Sequence, residues 1–203
     1  MLKPRRVAFL ELTAWMAATA VLVTPGAAAE AQQPALNIFT IADGSLSLEA
    51  PVGWERVQPK SRIVETEFAI PSEGTAADGT PLPAGRMTVM GAGGTVDANL
   101  DRWYGQFSQP DGGATKDKAT TKKIRIAECR VTLVDIAGTY RDAPMGPFAA
   151  GQAIDRPNYR MLAAIVEGPA GNYFLKFYGP SATVSRHAAG FQTMIEGMVP
   201  ATP

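Results

Sequence analysis

The chain has 203 residues, with 19 basic and 19 acidic residues, so its formal net charge at pH 7 is zero. A near-neutral chain lacks the strong field that binding to nucleic acid or to anionic lipid needs. Cys129 is the only cysteine, which excludes an intramolecular disulfide. We expect Cys129 to be a small buried residue in a strand, with a reactive thiol as the alternative.

The first 29 residues have the pattern of an export signal. Three basic residues within the first six precede an apolar run at 12–23, and small residues at 27–29 offer a cleavage site. The run is shorter than the roughly 20 residues of a membrane span. We predict a signal peptide over 1–29, a linker over 30–35 and one domain over 36–203. Cleavage could follow Ala29 or Ala31, and the export route could be the general or the twin-arginine one. An uncleaved anchor is the alternative to a signal peptide.

Alternating apolar residues predict strands at 36–41, 45–49, 62–70 and 86–90. In the third of these, Glu65 and Glu67 share the face opposite the apolar residues. A helix is predicted over 96–107, because its apolar residues recur at helical spacing and Thr95 is an N-cap residue. Residues 109–121 are polar and contain lysines, so we expect a solvated loop there.

The second half predicts two hairpins and a final helix. Strands at 122–127 and 129–138 form the first hairpin, and strands at 159–167 and 172–178 the second. Between them, 141–158 contains prolines and glycines and predicts an irregular segment. The last helix is expected over 182–198, capped by Ser181 or Thr183. The order of elements indicates an α+β domain around a mostly antiparallel sheet.

A glycine turn at 91–94 follows a strand and opens the first helix, which is the setting of a phosphate cradle. However, no lysine follows, and Asp97 and Asp101 stand where they would repel a phosphate. We therefore interpret the turn as a structural connection, with a buried Trp103 and no anion at Gly93-Gly94.

Three polar residues lie along the flank of the first helix. Asn99, Arg102 and Gln106 are spaced to form hydrogen bonds with a neighbouring loop carbonyl or carboxylate. We interpret them as a structural latch, with a ligand-facing triad as the alternative.

The chain offers few groups for catalysis. His187 is the only histidine, so a Ser-His-Asp or Cys-His apparatus would have to use it, and no GxSxG elbow is present. The pair Glu65/Glu67 could do acid–base work if it were enclosed, but a pair of this kind is commonly the wet face of a strand. One histidine and one cysteine do not supply a zinc site. We predict no catalytic residues, no metal and no cofactor.

Other residues suggest contact surfaces. Trp54 is expected at a rim, and Met145 and Phe148 lie in the long segment, where they either tuck into the core edge or face a partner. Four lysines lie close together in sequence, namely Lys116, Lys118, Lys122 and Lys123. We interpret them as part of a solvated loop, with binding of an anionic partner as the alternative.

Several of these features occur together in one fold family. The features are the segment 50–54 (APVGW), the glycine turn with Asn99, Arg102, Trp103 and Gln106, the strands at 159–167 and 174–179, and the last helix. Together they resemble those of uncharacterised secreted bacterial proteins with a Mog/PsbP-like fold. The resemblance implies a central, mostly antiparallel sheet flanked by helices, an α/β/α sandwich. It also implies a role in binding or assembly rather than catalysis. The functional sites of the characterised branches have no matching residues here.

We therefore predict a non-enzymatic binding or accessory protein, periplasmic or secreted, whose partner is an unknown protein or small ligand. Two other functions stay open. Methionines at 87, 90, 161, 194 and 198 favour a small-ligand or lipid carrier with a pocket between sheet and helix. A hydrolase using His187 or Glu65/Glu67 is the third. No stable membrane span is expected after cleavage of the signal.

Overall fold

The structure is a computed structural model that describes residues 37–72, 74–143, 153–168 and 171–201. The predicted signal peptide and linker, together with Met145 and Phe148, lie outside these ranges. No helix among the described residues has the length and apolar character needed to cross a membrane.

Eleven strands and three helices make up the described part of the chain. In chain order they are β1 (Asn37–Ile41), β2 (Leu46–Ala50), β3 (Glu55–Val57), β4 (Thr66–Ile70), β5 (Gly85–Ala92), α1 (Val96–Tyr104), β6 (Phe107–Ser108), α2 (Thr115–Lys118), β7 (Thr120–Ile126), β8 (Cys129–Asp142), β9 (Ile154–Gly168), β10 (Gly171–Pro180), α3 (Ser181–Glu196) and β11 (Val199–Pro200).

The strands form one large and one small sheet. The large sheet has eight strands in the order β3-β4-β5-β10-β9-β8-β6, with β7 also paired to β8. The small sheet has the order β1-β2-β11. Every strand pairing among the described residues is antiparallel. Consecutive strands are therefore joined mainly by hairpins, as the spacing of turn residues predicts.

The central strands of the large sheet are buried on both faces. On β9, Ala163 and Ile165 belong to one core cluster, while the alternate residues Ala164 and Val166 belong to the other. The sequence predicted this burial from the apolar run around the two alanines. Because successive side chains of a strand point to opposite faces, two separate cores share this sheet.

One face of the large sheet is covered by α3 and by the small sheet. Val184, Phe191 and Ile195 of α3 pack with Leu175 and Phe177 of β10 in a single buried cluster. Spacings of seven and four residues place these three side chains on one stripe of the helix, as the sequence predicts. Residues of β1 and β2 complete the same cluster.

The opposite face is covered by α1. Leu100 and Trp103 join a second buried cluster, in which Trp103 meets the ring of Phe174 edge-on at 5.3 Å. The hydroxyl of Thr95 accepts a hydrogen bond from the backbone N–H of Ala98, so the predicted N-cap is present. Trp103 is 4 % exposed, which confirms its predicted burial.

The sheet-dominated α+β class and the antiparallel arrangement are confirmed. The finer α/β/α sandwich stays a prediction, because α3 shares its face with a small sheet and α1 is only 9 residues long. Nevertheless, α1 and α3 pack on opposite faces of the large sheet. A polar side chain of the sheet therefore has different neighbours depending on the face to which it points.

Part of the expected irregular segment 141–158 belongs to strands. β8 continues to Asp142, and β9 begins at Ile154. The register shifts between Gly138 and Tyr140, opposite Pro157 and Asn158, which pair with no residue there. A β-bulge is one of the few places that tolerate proline in a sheet, so this proline interrupts the pairing without ending the strand.

Two other local predictions also change. The expected solvated loop at 109–121 contains the short helix α2 and the first residues of β7. The last helix begins one residue earlier than predicted, with Pro180 in the N-cap position and no side-chain cap. Thr183 is buried inside the helix, and its hydroxyl has no hydrogen-bond partner among the described residues.

Candidate functional site

Glu67 is a buried carboxylate. It is 2 % exposed, which corrects the expectation that Glu65 and Glu67 form the wet face of a strand. Arg86 on the neighbouring strand β5 donates two hydrogen bonds to it, from Nε to Oε1 at 2.7 Å and from Nη2 to Oε2 at 2.8 Å. These bonds hold the pKa of Glu67 below its ordinary value. The ion pair allows the strand to bury a charge that alternation alone assigns to solvent.

Glu65 is separate from this ion pair. It is exposed, and its Oε1 accepts a hydrogen bond from the backbone N–H of Gly91 at 3.0 Å. The two carboxylates therefore have different partners and different exposure, and the enclosed acid–base pair required for a hydrolase is not formed.

The ion pair continues into a polar network across the sheet. Arg86 Nη1 donates to the hydroxyl of Tyr178 on β10 at 2.5 Å, and the guanidinium carbon lies 5.8 Å from the centre of that ring. Lys176, two residues earlier on β10, places its Nζ 5.0 Å from the same ring. Because Lys176 and Tyr178 are separated by two residues, both side chains point to the α1 face.

Lys176 is enclosed by aromatic and amide groups. Its Nζ donates to Oε1 of Gln106 at 2.6 Å and lies 5.3 Å from the centre of the Tyr140 ring. Tyr140 stacks in turn on Tyr159, with ring centres 6.1 Å apart. We call Lys176 with Gln106, Tyr140 and Tyr178 the lysine cage.

Burial perturbs the protonation of the lysine cage. It lowers the pKa of Lys176 to about 7, an effect to which the positive charge of Arg86 adds and which Asp142 opposes. Burial also raises the pKa of Tyr140 and of Tyr178, so both phenols stay neutral at physiological pH. Near pH 7 the cage therefore contains a lysine that is close to half neutral.

An open groove lies beside the ion pair, in the connection between β3 and β4. It has a volume of about 660 Å³, and its lining includes three cations, Arg56, Lys60 and Arg62, and one carboxylate, Glu65. Within the described ranges, no carboxylate lies at ion-pair distance from any of these three side chains. The backbone N–H of Lys60 donates to Oε2 of Glu67 at 3.2 Å, so the buried carboxylate also holds this connection. We call this surface the basic groove.

Trp54 lies in the core and contacts His187, a half-buried residue of α3. The indole Nε1–H donates to Nδ1 of His187 at 3.2 Å, and His187 Nε2 lies 3.0 Å from the carbonyl oxygen of Pro71. A neutral ring with its proton on Nε2 satisfies both contacts. Trp54 is 3 % exposed and packs against Phe177 at 5.2 Å, which corrects the expectation that it lies at a rim. His187 uses both nitrogens for structural hydrogen bonds, which leaves no lone pair for a serine hydroxyl.

Asn99 and Arg102 fasten the glycine turn to α1. Asn99 is fully buried and donates from Nδ2 to the carbonyl oxygens of Gly93 and Thr95, at 3.2 and 2.9 Å. Arg102 donates from Nη1 to Oδ1 of Asn99 at 2.8 Å. Gln106 is not part of this arrangement, because it lies past the end of α1 and accepts from Lys176.

The four lysines do not form one cluster. Lys116 and Lys118 lie on α2, with carboxylates of Asp101 and Asp111 at 3.5 and 2.9 Å. Lys122 and Lys123 lie on β7, and both are exposed. The set is thus divided between two lysines that have carboxylate partners and two exposed lysines on a strand.

A second groove, with a volume of about 270 Å³, lies between α3 and the large sheet. Leu133 and Leu162 on the sheet and Ala188 and Phe191 on α3 contribute apolar walls, and Lys122 stands at its edge. The methionines thought to form such a pocket line neither groove. Met87, Met161, Met194 and Met198 are buried core residues instead.

Sequence reasoning missed Lys176 and Arg86. A signal existed for the lysine, because it interrupts the apolar strand YFLKFY, and a charge at a core position needs a partner or a shifted pKa. No local signal identified Arg86, because its role depends on pairing with Glu67, 19 residues earlier.

No family model matches the sequence, and no curated protein matches it significantly. Among solved structures, a Pseudomonas aeruginosa protein of unknown function is 13 % identical, with a TM-score of 0.43 over 83 % of this chain and 99 % of that one. The cyanobacterial PsbP protein (CyanoP) from Synechocystis is 11 % identical, with a TM-score of 0.47 over 86 % and 98 %. The latter bears the PsbP name that the sequence resemblance indicated. Neither likeness says what this chain binds or does.

Proposed function

We propose that the protein is a non-enzymatic binding or accessory protein that acts outside the cytoplasm and holds an anionic ligand in the basic groove. The observation that carries this proposal is the placement of Arg56, Lys60 and Arg62 around one open groove. These three cations outnumber the one carboxylate of the lining, Glu65, and a concave surface concentrates their field. The export pattern of residues 1–29 supports the location.

The local structure favours a prepared site. Arg56 Nη2 donates to the hydroxyl of Thr66 at 3.1 Å, which limits the freedom of that guanidinium. Lys60 is held through its backbone by Glu67. The Arg56 guanidinium is thus held before a ligand binds, which reduces the side-chain entropy lost on binding.

Titration calorimetry of the mature chain with inorganic phosphate and with succinate tests the proposal. We expect saturable binding of at least one anion that weakens as salt increases, because exposed charges are screened. The double variant Lys60→Gln/Arg62→Gln should abolish it. The matched control is Lys122→Gln/Lys123→Gln, which removes the same charge from β7. Absence of saturable binding, or equal loss in both double variants, would contradict the proposal.

The second groove favours a small-ligand or lipid carrier as the other candidate. Its apolar walls and the cation at its edge suit an acyl chain that ends in a carboxylate. Native mass spectrometry of gently purified protein should then show a bound mass. Ala188→Trp should remove that mass by filling the groove, whereas the exposed neighbour Ala189→Trp should not. A clean mass of the protein alone, kept after addition of laurate, would count against the carrier.

A further inference from the structure

Lys176 is a primary amine in an environment that lysine rarely occupies. The residue is 8 % exposed, and its Nζ has the amide oxygen of Gln106 as its hydrogen-bond acceptor at 2.6 Å. No carboxylate lies at ion-pair distance from it within the described ranges. Buried lysines are normally paired with an acid, because an isolated ammonium is costly to desolvate.

The charges around the amine are few. The Arg86 guanidinium is the nearby cation and is itself paired with Glu67, while Asp142 is the carboxylate whose field reaches the amine. The phenols of Tyr140 and Tyr178 are held neutral by burial. A desolvated lysine beside another cation is a recognised arrangement for an activated amine nucleophile.

We propose that Lys176 is a carbonyl-reactive amine, which forms an imine with small uncharged aldehydes that enter the lysine cage. The neutral nitrogen attacks the carbonyl carbon, so a C–N bond forms and the C=O electron pair moves to oxygen, which takes up a proton. The resulting carbinolamine loses that hydroxyl and the remaining nitrogen proton as water. No oxidant or second substrate is needed, and the proposal is independent of the basic groove.

The surroundings determine the size and charge of the aldehyde. Three residues around the amine are only half-buried, namely Arg86, Gln106 and Tyr178, so a small aldehyde reaches Nζ by displacing these side chains. Arg86 already uses Nε, Nη1 and Nη2 on Glu67 and Tyr178, which leaves little capacity for an anionic substrate. The tyrosine rings favour a small apolar group, such as that of acetaldehyde.

The expected advantage follows from protonation. The pKa of Lys176 is lowered to about 7, so close to half of this amine is neutral at pH 7. An ordinary lysine is neutral in roughly one molecule in 2,500 at that pH. A less basic amine is also a weaker nucleophile, and the cage restricts access. We therefore expect at least a tenfold rate advantage over an exposed lysine rather than the full thousandfold.

Reductive alkylation of the wild-type chain tests the proposal without a variant. The protein is treated with acetaldehyde and cyanoborohydride at several pH values, and the rate at each lysine is measured by peptide mass spectrometry. Lys176 should react at least ten times faster than the exposed Lys116 and Lys122 at pH 7. Its rate should level off above pH 8, whereas theirs should keep rising.

Lys176→Arg supplies a second measurement. This variant replaces the reactive amine by an unreactive guanidinium, so the fast phase should vanish from the intact-protein mass while the slow labelling of surface lysines continues. A wild-type Lys176 that stays unmodified, or that reacts no faster than Lys116 and Lys122, would overturn the proposal.

Discussion

Replacing Lys176 by methionine should change how the stability of the protein depends on pH. Methionine has a similar length and flexibility and has no charge to desolvate. The variant loses the hydrogen bond to Gln106 and both ring contacts, so its absolute stability combines several opposing effects. The part of these losses that depends on the charge of the amine is already contained in the shifted pKa of Lys176. The pH dependence therefore isolates the cost of burying the amine.

The sign follows from where the proton is bound. The pKa of Lys176 falls from its ordinary 10.5 to about 7 in the folded chain. Between these values the unfolded chain holds a proton that the folded chain lacks, so the free energy of unfolding of the wild type rises with pH. The free-energy penalty for burying the charged amine is complete below pH 7 and disappears above pH 10.5. Between pH 7 and pH 9 the wild type should gain about 2 kcal/mol relative to Lys176→Met.

Urea unfolding of both proteins at pH 7, 8 and 9, followed by tryptophan fluorescence, measures this difference. Other titrating groups are common to the two proteins and cancel. Lys116→Met is the matched control, because its side chain is 69 % exposed, and its stability should run parallel to that of the wild type. Parallel curves for Lys176→Met and the wild type would refute the inference that a charged Lys176 is costly in the folded state.

Three further substitutions should alter the free energy of unfolding in urea at pH 7. Glu67→Gln removes the partner of Arg86, whose side chain is 31 % exposed, so we expect a loss of roughly 2–3 kcal/mol, below that of a fully buried pair. Thr183→Val removes a buried hydroxyl without a partner among the described residues and should add about 1 kcal/mol. Gly138→Ala places a Cβ 2.6 Å from the carbonyl oxygen of Ser108 and should cost about 1–3 kcal/mol.

Each of these substitutions has a control elsewhere in the chain. Glu65→Gln should change stability by under about 1 kcal/mol, because this carboxylate is exposed and makes one hydrogen bond. Thr193→Val on the exposed side of α3 should bring no gain. Gly93→Ala should be tolerated, since a Cβ there meets nothing within 4 Å. If a control changed the free energy of unfolding as much as its test variant did, the contact named for that variant would not be the cause of the change.

Local pattern was sufficient for much of the fold. Helical spacing predicted that Leu100 and Trp103 pack on the sheet, and the capping role of Thr95 followed from its position before the helix. The strands of the two hairpins were also visible from alternation and turn residues. These features depend on residues within a few positions of each other.

Predictions failed where distant residues determine the environment. Trp54 follows a turn and reads as a rim residue, yet Phe177 and His187 enclose it from more than 100 positions away. Strand pairing likewise carries β8 and β9 through a proline-containing segment, because the bulge at Gly138 accommodates Pro157.

The sequence by itself determined the α+β class, the positions of most strands and the apolar stripes of α1 and α3, because period and turn chemistry are local properties. The tertiary structure decided the chemistry of the candidate sites. Alternation places Glu67 with Glu65 on a solvent face, but only the pairing of β4 with β5 brings Arg86 to it. Only the tertiary structure brings Gln106, which follows α1, and Tyr140 of β8 around Lys176 of β10. The protonation of a buried group depends on its neighbours in space, which a single sequence does not list.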